Sequence, residues 1–280
     1  MGLLSLAVVL AGCSAIQLGY NALPEVSYWW LDGYIDVEDS QRERVREEIA
    51  AVHGWHRANE LPQYAAILQR VERMVPADTT PEQLCTLEPE LRGRIAALRA
   101  RLEPAVTAQA VVLLPAQLKH LERKYEQRNR EYTDDWVKLP REEQLDKRAK
   151  DYVERGTTFY GRLDDAQRAA IRQQMDRSQL DPALILRERK RRQQDTLAVL
   201  RRVSSASVPP EEARGAIRAL LDRMLDSPDP AFRAYVNAMR QETCRISTAI
   251  HNGTTAAQRD FAVRRLRGWQ RDLAELSARR

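Results

Sequence analysis

The chain has 280 residues, 43% of them hydrophobic and 30% charged, enough for one large core or two small ones under a highly charged surface. Only 11 residues are Gly and β-branched residues do not cluster, which argues against a sheet protein. The net charge is +5, from 45 basic residues, six of them Lys, against 40 acidic ones; in a cytosolic protein this Arg-rich balance would raise nucleic acid as a partner.

The first charged side chain is Glu25. Before it runs Leu3-Leu4-Ser5-Leu6-Ala7-Val8-Val9-Leu10, shorter than the roughly 20 apolar residues that span a bilayer and suited to the core of an export signal. Leu10-Ala11-Gly12-Cys13 resembles the lipobox of bacterial lipoproteins. The resemblance implies that residues 1–12 are a signal peptide, that the Cys13 sulfur takes a diacylglycerol, and that cleavage frees an amine that is acylated in turn, by palmitate or a similar chain. Several buried acyl chains anchor stably where one is marginal. Ser14 after the cysteine implies the outer membrane, at its periplasmic face. No Lys or Arg precedes the apolar run, a departure from the usual charged start. The alternative is a buried N-terminal helix with an incidental cysteine.

Export removes nucleic acid from the expected partners. It leaves the membrane itself, through the anchor, an envelope protein, and anionic envelope material such as lipid head groups or acidic glycans. The 40 acidic residues interleave with the basic ones, as on ordinary solvated helices. With Cys13 lipidated, Cys85 and Cys244 are left as a pair. An oxidising periplasm favours a disulfide between them, and closing so long a loop would stabilise by roughly 5 kcal/mol on chain-entropy reasoning. Two buried thiols are the alternative.

Residues 13–35 read as a lipidated, aromatic-rich tether with Tyr20, Tyr28, Trp29, Trp30 and Tyr34, ahead of a helical domain at 36–280. Val45, Ile49 and Val52 make an i, i+4, i+7 stripe that Trp55 continues, until Pro62 interrupts. Tyr64, Leu68, Val71 and Val75 form the next. Leu84, Leu91 and Leu98 give near-heptad spacing punctuated by Pro89 and Pro104. Leu118, Leu121 and Tyr125 head a charged helix toward Trp136; Leu145, Tyr152, Phe159 and Leu163 mark another. A basic helical run, Arg187 to Arg192, leads to Leu197 and Leu200. Ser204 to Pro210 is the best internal linker, with a candidate sub-boundary near 206. Ile217, Leu221 and Met224, then Phe232, Tyr235, Met239, Ile246 and Ile250, then Leu266, Trp269, Leu273 and Leu276 close the chain. No alternating strand appears. The expectation is an all-α protein, an irregular bundle of about nine or ten helices.

One short pattern recurs: an apolar residue or Thr, a polar one, two more, then Gln. It stands at Val37–Gln41, Thr79–Gln83, Leu163–Gln167 and Thr254–Gln258, with a looser copy at Val208–Glu212. A capping box explains it locally, the cap side chain taking a free backbone N–H and the Gln reaching back. The pattern also resembles the Leu-Thr-x-x-Gln motif of small periplasmic helical chaperones that hold unfolded clients in a cradle, which implies a holder function.

A second likeness covers more of the chain. Tyr20-Asn21, Trp29-Trp30-Leu31-Asp32, Tyr34, Asp36, then Trp55-His56-Arg57, Glu60-Leu61-Pro62 and Tyr64, with Leu266-Arg267-Gly268-Trp269 late in the chain, resemble a family of uncharacterised Gram-negative lipoproteins. That likeness implies a lipobox followed by one helical domain and brings no activity with it.

His53, His56 and Glu60 are spaced three and four apart, along one helix face, and could hold a transition metal; a structural or surface His pair is the alternative. Trp29, Trp30 and Trp55 could form an aromatic groove for a partner, with Arg57 against a ring, or anchor the N-terminal segment beside lipid. The run from Arg187 to Arg192 could meet anionic head groups or be a solvated face. No Gly-x-Ser-x-Gly and no phosphate-cradling glycine loop is present. The chain therefore reads as a non-enzymatic, lipid-anchored periplasmic protein acting by protein contact, with no cofactor implied; an envelope-directed enzyme with a cryptic metal site and a binder of anionic lipid or glycan are the rivals.

Overall fold

The computed structural model of the protein describes residues 15–205 and 208–278. The expected signal peptide and Cys13 lie outside the described residues, as do Ala206 and Ser207 in the expected linker. Twelve α-helices follow one another: α1 (Ala15–Ile35), α2 (Asp39–Asn59), α3 (Leu61–Met74), α4 (Pro81–Cys85), α5 (Glu88–Ala110), α6 (Pro115–Tyr132), α7 (Arg141–Tyr160), α8 (Asp165–Gln174), α9 (Pro182–Val203), α10 (Pro210–Leu225), α11 (Pro230–Asn252) and α12 (Ala256–Ala278). A π-turn over Thr133–Val137 extends α6, and a 3₁₀ turn over Met175–Arg177 extends α8. Every element among the described residues is helical, so the all-α expectation stands; eleven of the twelve α-helices have ten residues or more, more than the nine or ten expected. No described helix is long and apolar enough to cross a membrane.

Proline explains part of that difference. Seven helices, α3, α4, α5, α6, α9, α10 and α11, carry Pro in their first turn, where the missing N–H has no intrahelical partner to lose and φ is already set. Pro62 thus starts α3 one residue after α2 ends. Pro104, expected to punctuate, sits inside an unbroken α5, and Pro24 sits inside α1. Residues 15–35 of the expected tether form the 21-residue α1, with Gln17, Tyr20 and Tyr28 buried.

The recurring openers do more than cap. In α2, α4 and α8 the capping box forms at Glu38/Gln41, Thr80/Gln83 and Asp164/Gln167, and in α12 Thr255 and Gln258 exchange the same two bonds. A fifth copy, Leu113 to Gln117, opens α6, where Gln117 Oε1 accepts from Leu114 N–H. Four of these glutamines then pair across the molecule. Gln117 Nε2 donates to Gln41 Oε1 at 2.8 Å and Gln167 Nε2 to Gln258 Oε1 at 2.8 Å, with the reverse donations also made. The second N–H of each amide donates to a backbone carbonyl: Gln41 to Val112, Gln117 to Asp36, Gln167 to Gly253 and Gln258 to Arg162. In all four cases that carbonyl belongs to the residue five before the partner glutamine. The remaining copy is met by Asn252, which bonds both the N–H and the carbonyl of Thr79.

The core has two main parts. One gathers Leu145, Tyr152, Ile171, Met175, Ile246 and Leu266, from α7, α8, α11, α12 and the turn after α8, while α12 also packs along α3. The other gathers Leu118, Leu121, Leu197, Leu200, Ala213 and Ile217 from α6, α9 and α10. Helices α9 and α10, on either side of residue 206, pack on one another and share that core. Gly161 ends α7 with φ of +80°, a conformation that L side chains adopt at a cost.

Cys85 and Cys244 are bonded, Cα to Cα 5.7 Å, joining the five-residue α4 to α11 across 159 residues of sequence. So short a helix has no independent stability, so the bond and the Thr79–Asn252 contact fix its place. The Cys85→Ser/Cys244→Ser double variant, or a reductant, is expected to lower the unfolding free energy by several kcal/mol, up to about 5. Thermal melts with and without reductant check this; coincident melts would contradict it.

Candidate functional site

The unusual helix is α1, because two of its faces are apolar. At 100° per residue, Leu18, Leu23, Val26, Trp29 and Trp30 fall on one arc roughly 140° wide, and all five are exposed, Trp29 at 63% and Trp30 at 62%. The inner face holds Gln17, Tyr20 and Tyr28. Trp29 packs edge-on to Tyr28 at 5.4 Å and Trp30 against Tyr34 at 4.7 Å, so each indole is steadied by a neighbour on its own helix.

Tyr20 is held from α2. Pro24 lacks the N–H that would bond the carbonyl four residues back, which is that of Tyr20. His53 Nε2 donates to this carbonyl at 3.1 Å instead, and His56 Nδ1 pairs with the Tyr20 hydroxyl at 3.0 Å. The ring of His53 lies 4.6 Å from that of Tyr20. Burial pushes the Tyr20 phenol up to about 12. Burial also lowers both imidazoles, opposed at His53 by the Tyr20 backbone bond and at His56 by the Glu60 carboxylate.

The expected metal triad is therefore not assembled as one. His53 and His56 both serve Tyr20, while Glu60 is buried with its Oε2 3.8 Å from Arg94 Nη1. No group of three His, Cys, Asp or Glu side chains among the described residues gathers as a metal site. The expected cation–ring pair exists with a different ring: Arg57 stands over Tyr20 at 5.3 Å and donates to Asn21 Oδ1 at 2.7 Å. Trp55 is half-buried on α2. Tyr20 stands out in the sequence as one aromatic of the N-terminal segment and in the family likeness, but not as the group that His53 and His56 hold. The available signal was Pro24, since a proline inside a helix leaves the carbonyl four before it in need of a donor.

Between α1, α2 and α5 lies an apolar cavity of about 470 Å3, within the roughly 300–1,000 Å3 of small-molecule sites. Its walls are α1 from Leu23 to Ile35, α2 from Val45 to His56 and α5 from Leu98 to just past its end at Leu113, closed below by Leu200 of α9. The lining is apolar except for Ser27, Glu48, His53, His56 and Gln109. Of these, Gln109 Nε2 is a buried donor with no hydrogen-bond partner. On its side away from the cavity, α5 is bonded toward α10. Glu103 of α5 accepts from Arg214 at 2.8 Å and Arg218 at 2.9 Å, Arg99 pairs with Asp222, and Arg92 with Asp226, all reaching toward α10. Hydrogen bonds from Arg218 and then Arg214 hold the Glu103 carboxyl down to about 2.

The basic run on α9 is largely consumed within the protein. Burial alone would raise the Glu188 carboxyl, but bonds from Arg191 and Arg192 outweigh it and hold the group to about 2. Arg189 lies over the Tyr132 ring at 4.8 Å and Arg192 over Phe232 at 5.6 Å.

Residues 33–211 match a family of unknown function, DUF6279, and the chain belongs to it. No curated protein and no solved structure matches the chain. The matched span includes α2 and α5, which form two walls of the cavity, and the clasp of Gln41 with Gln117.

His53→Ala leaves the Tyr20 backbone carbonyl oxygen without its His53 donor beside Pro24 and is expected to cost about 1–3 kcal/mol. Because burial depresses the imidazoles in the folded state, the unfolded chain takes up protons that the folded chain resists. Their contribution is full above pH 6.5, the ordinary value, and is lost as pH falls through the depressed folded values. Melting of the wild type between pH 7.5 and 5 should thus fall more steeply than that of His53→Ala; parallel slopes would remove the linkage.

Proposed function

We propose that the protein is a lipid-anchored, non-enzymatic envelope protein that acts by contact, tethered through Cys13 at the periplasmic face of the outer membrane. The observation that carries this reading is the pair Trp29 and Trp30, about two-thirds exposed on a helix that begins two residues after Cys13. Large aromatics set side by side in water mark a surface meant to be covered, and indoles combine apolar area with a polar edge suited to a protein interface next to lipid. Acyl chains on Cys13 would bring this face to the bilayer surface, where an envelope protein can meet it.

Two observations favour contact over catalysis. His53 and His56, the strongest candidates for chemistry, are spent on the carbonyl and hydroxyl of Tyr20. The buried carboxylates Glu103 and Glu188 are each held by two arginines. The same pairing weakens the reading as a head-group binder, since three of the five basic side chains from Arg187 to Arg192, Arg189, Arg191 and Arg192, already have partners within the protein. Scaffold, assembly factor and chaperone-like holder remain the forms of contact that this surface suits.

Crosslinking in intact cells is expected to capture an envelope protein with the wild type. Trp29→Ala/Trp30→Ala should weaken that capture by about 2 kcal/mol or more, roughly thirtyfold. Undiminished capture by the double variant would discard the α1 face as the interface. Mass spectrometry of the purified protein should show an acylated Cys13 at the N-terminus; an unprocessed N-terminus would discard the anchor.

A further inference from the structure

We propose that the outer face of α1 is the contact face for a second copy of this chain, the two α1 helices running antiparallel with Trp29 of each seated over Gly19 of the other. The inference rests on the contact reading for the face and goes beyond it in naming the occupant.

The face is continuous. Between the five large side chains already described, the same arc of α1 holds Ala15, Gly19, Ala22 and Gly33, and all four are exposed. Apart from the two indole N–H groups the arc carries no polar side chain, and it lies opposite Gln17, Tyr20 and Tyr28, which face the core. Ala15, Gly19, Ala22, Val26, Trp29 and Gly33 are spaced alternately four and three apart, the seam along which one helix meets another.

The glycines are the second observation. A Cβ at Gly19 or Gly33 would meet no atom of the protein within 4 Å, and neither has the positive φ that favours glycine. The fold of the single chain does not need them, and glycine is the poorest helix former after proline. What bare backbone on an outer face permits is the close approach of another helix.

The order of sizes along the seam selects the occupant. Two copies reversed about a two-fold axis set Trp29 against Gly19, Val26 against Ala22 and Gly33 against Ala15, and every contact is made twice. A parallel pair would set Trp29 against Trp29 and Gly19 against Gly19, one layer overfilled and another empty. The five large side chains present roughly 550 Å2 per copy, so a pair that covers the face buries about 1,100 Å2, past the roughly 1,000 Å2 that a specific interface needs. Glu25 would face its own copy across the axis, but it is already paired with Arg46 at 2.5 Å. A lipid surface is a poorer match: α1 has no Lys or Arg, and Glu25 and Asp32 border the arc, the charge that anionic head groups repel. With the two-fold axis normal to the bilayer, Ala15 of each copy stands at the same height, so both anchors reach one membrane.

The test uses the full mature chain carrying Cys13→Ser for sedimentation equilibrium, and the anchored chain in isolated envelopes for crosslinking. A concentration-dependent monomer–dimer equilibrium is expected in solution. Gly19→Leu fills space that is empty in the single chain, so it should weaken the dimer at least about tenfold without lowering the melt of the monomer; Ala22→Phe, also exposed, is the second blocking variant. In envelopes, Ala15→Cys and Gly33→Cys should each give little dimer disulfide alone, since like positions stand roughly 27 Å apart along the pair, and should give a mixed disulfide when expressed together. A monomer at every concentration with no mixed disulfide overturns the proposal, as does a dimer that both blocking variants leave intact. Like-with-like disulfides in place of the mixed one overturn the antiparallel arrangement. Monomeric protein that binds phosphatidylethanolamine–phosphatidylglycerol vesicles through Trp29 and Trp30 would assign the face to lipid and overturn the second copy. Capture of a different protein through Trp29 and Trp30 by a chain that stays monomeric removes the second copy and leaves the contact reading standing, whereas undiminished capture by Trp29→Ala/Trp30→Ala removes both.

Discussion

Two reciprocal amide pairs, Gln41 with Gln117 and Gln167 with Gln258, determine where four helices begin, and the placement of the rest follows from them. Each carboxamide has two N–H donors and an oxygen with two acceptor positions, and each is used to its limit. The oxygen takes the N–H of its own helix cap and one N–H of the partner amide. The nitrogen gives one hydrogen to the partner oxygen and the other to a carbonyl just ahead of the partner helix. A slip of either helix by one residue would break several bonds together, and the amide groups are too close to one another for water to replace them without separating the helix starts. Such a network specifies a register in a way that apolar packing does not.

The cavity follows from this manner of construction. The Gln41–Gln117 clasp fixes the starts of α2 and α6, and with them the end of α1 through the Asp36 carbonyl. Helix α5 is placed toward α10 by arginine–carboxylate bonds and by Val106 and Ala110 in the shared apolar core, and meets α1 only near its end, at Tyr34 and Ile35. Helices positioned from their ends and from one side need not close along their length, and between α1, α2 and α5 they do not. The apolar residues left lining that space are the same kinds that would have filled a core, which is why binding and packing are hard to tell apart in such a region from composition alone.

Several features were legible in the sequence for definite reasons. Helical periodicity exposed the all-α class because the stripes of α2, α3 and α12 are regular. Counting cysteines paired Cys85 with Cys244 once Cys13 was set aside. The openers were recognised as capping boxes because the cap and its glutamine are three residues apart. Their pairing was not legible, because two glutamines separated by 76 or 91 residues have no local signal that they meet. The copy at Leu113–Gln117 was missed since leucine at the cap position supplies no capping oxygen. The aromatic content of residues 15–35 is legible in the sequence, but the docking of this segment as a helix through Tyr20 onto His53 and His56 of α2 is not, since it depends on residues more than 30 apart. Those two histidines looked like ligands by spacing alone; what decides their role is a proline on a different helix.

A double-mutant cycle at the clasps tests this account most directly. Gln41→Leu, Gln117→Leu and the pair, with the matching set at Gln167 and Gln258, would be compared by chemical denaturation. Strong coupling within each pair, about 1–3 kcal/mol, and near-additivity between the two pairs is the expected result. Single losses within a pair that simply add would contradict it, and would leave the helix starts governed by their local caps.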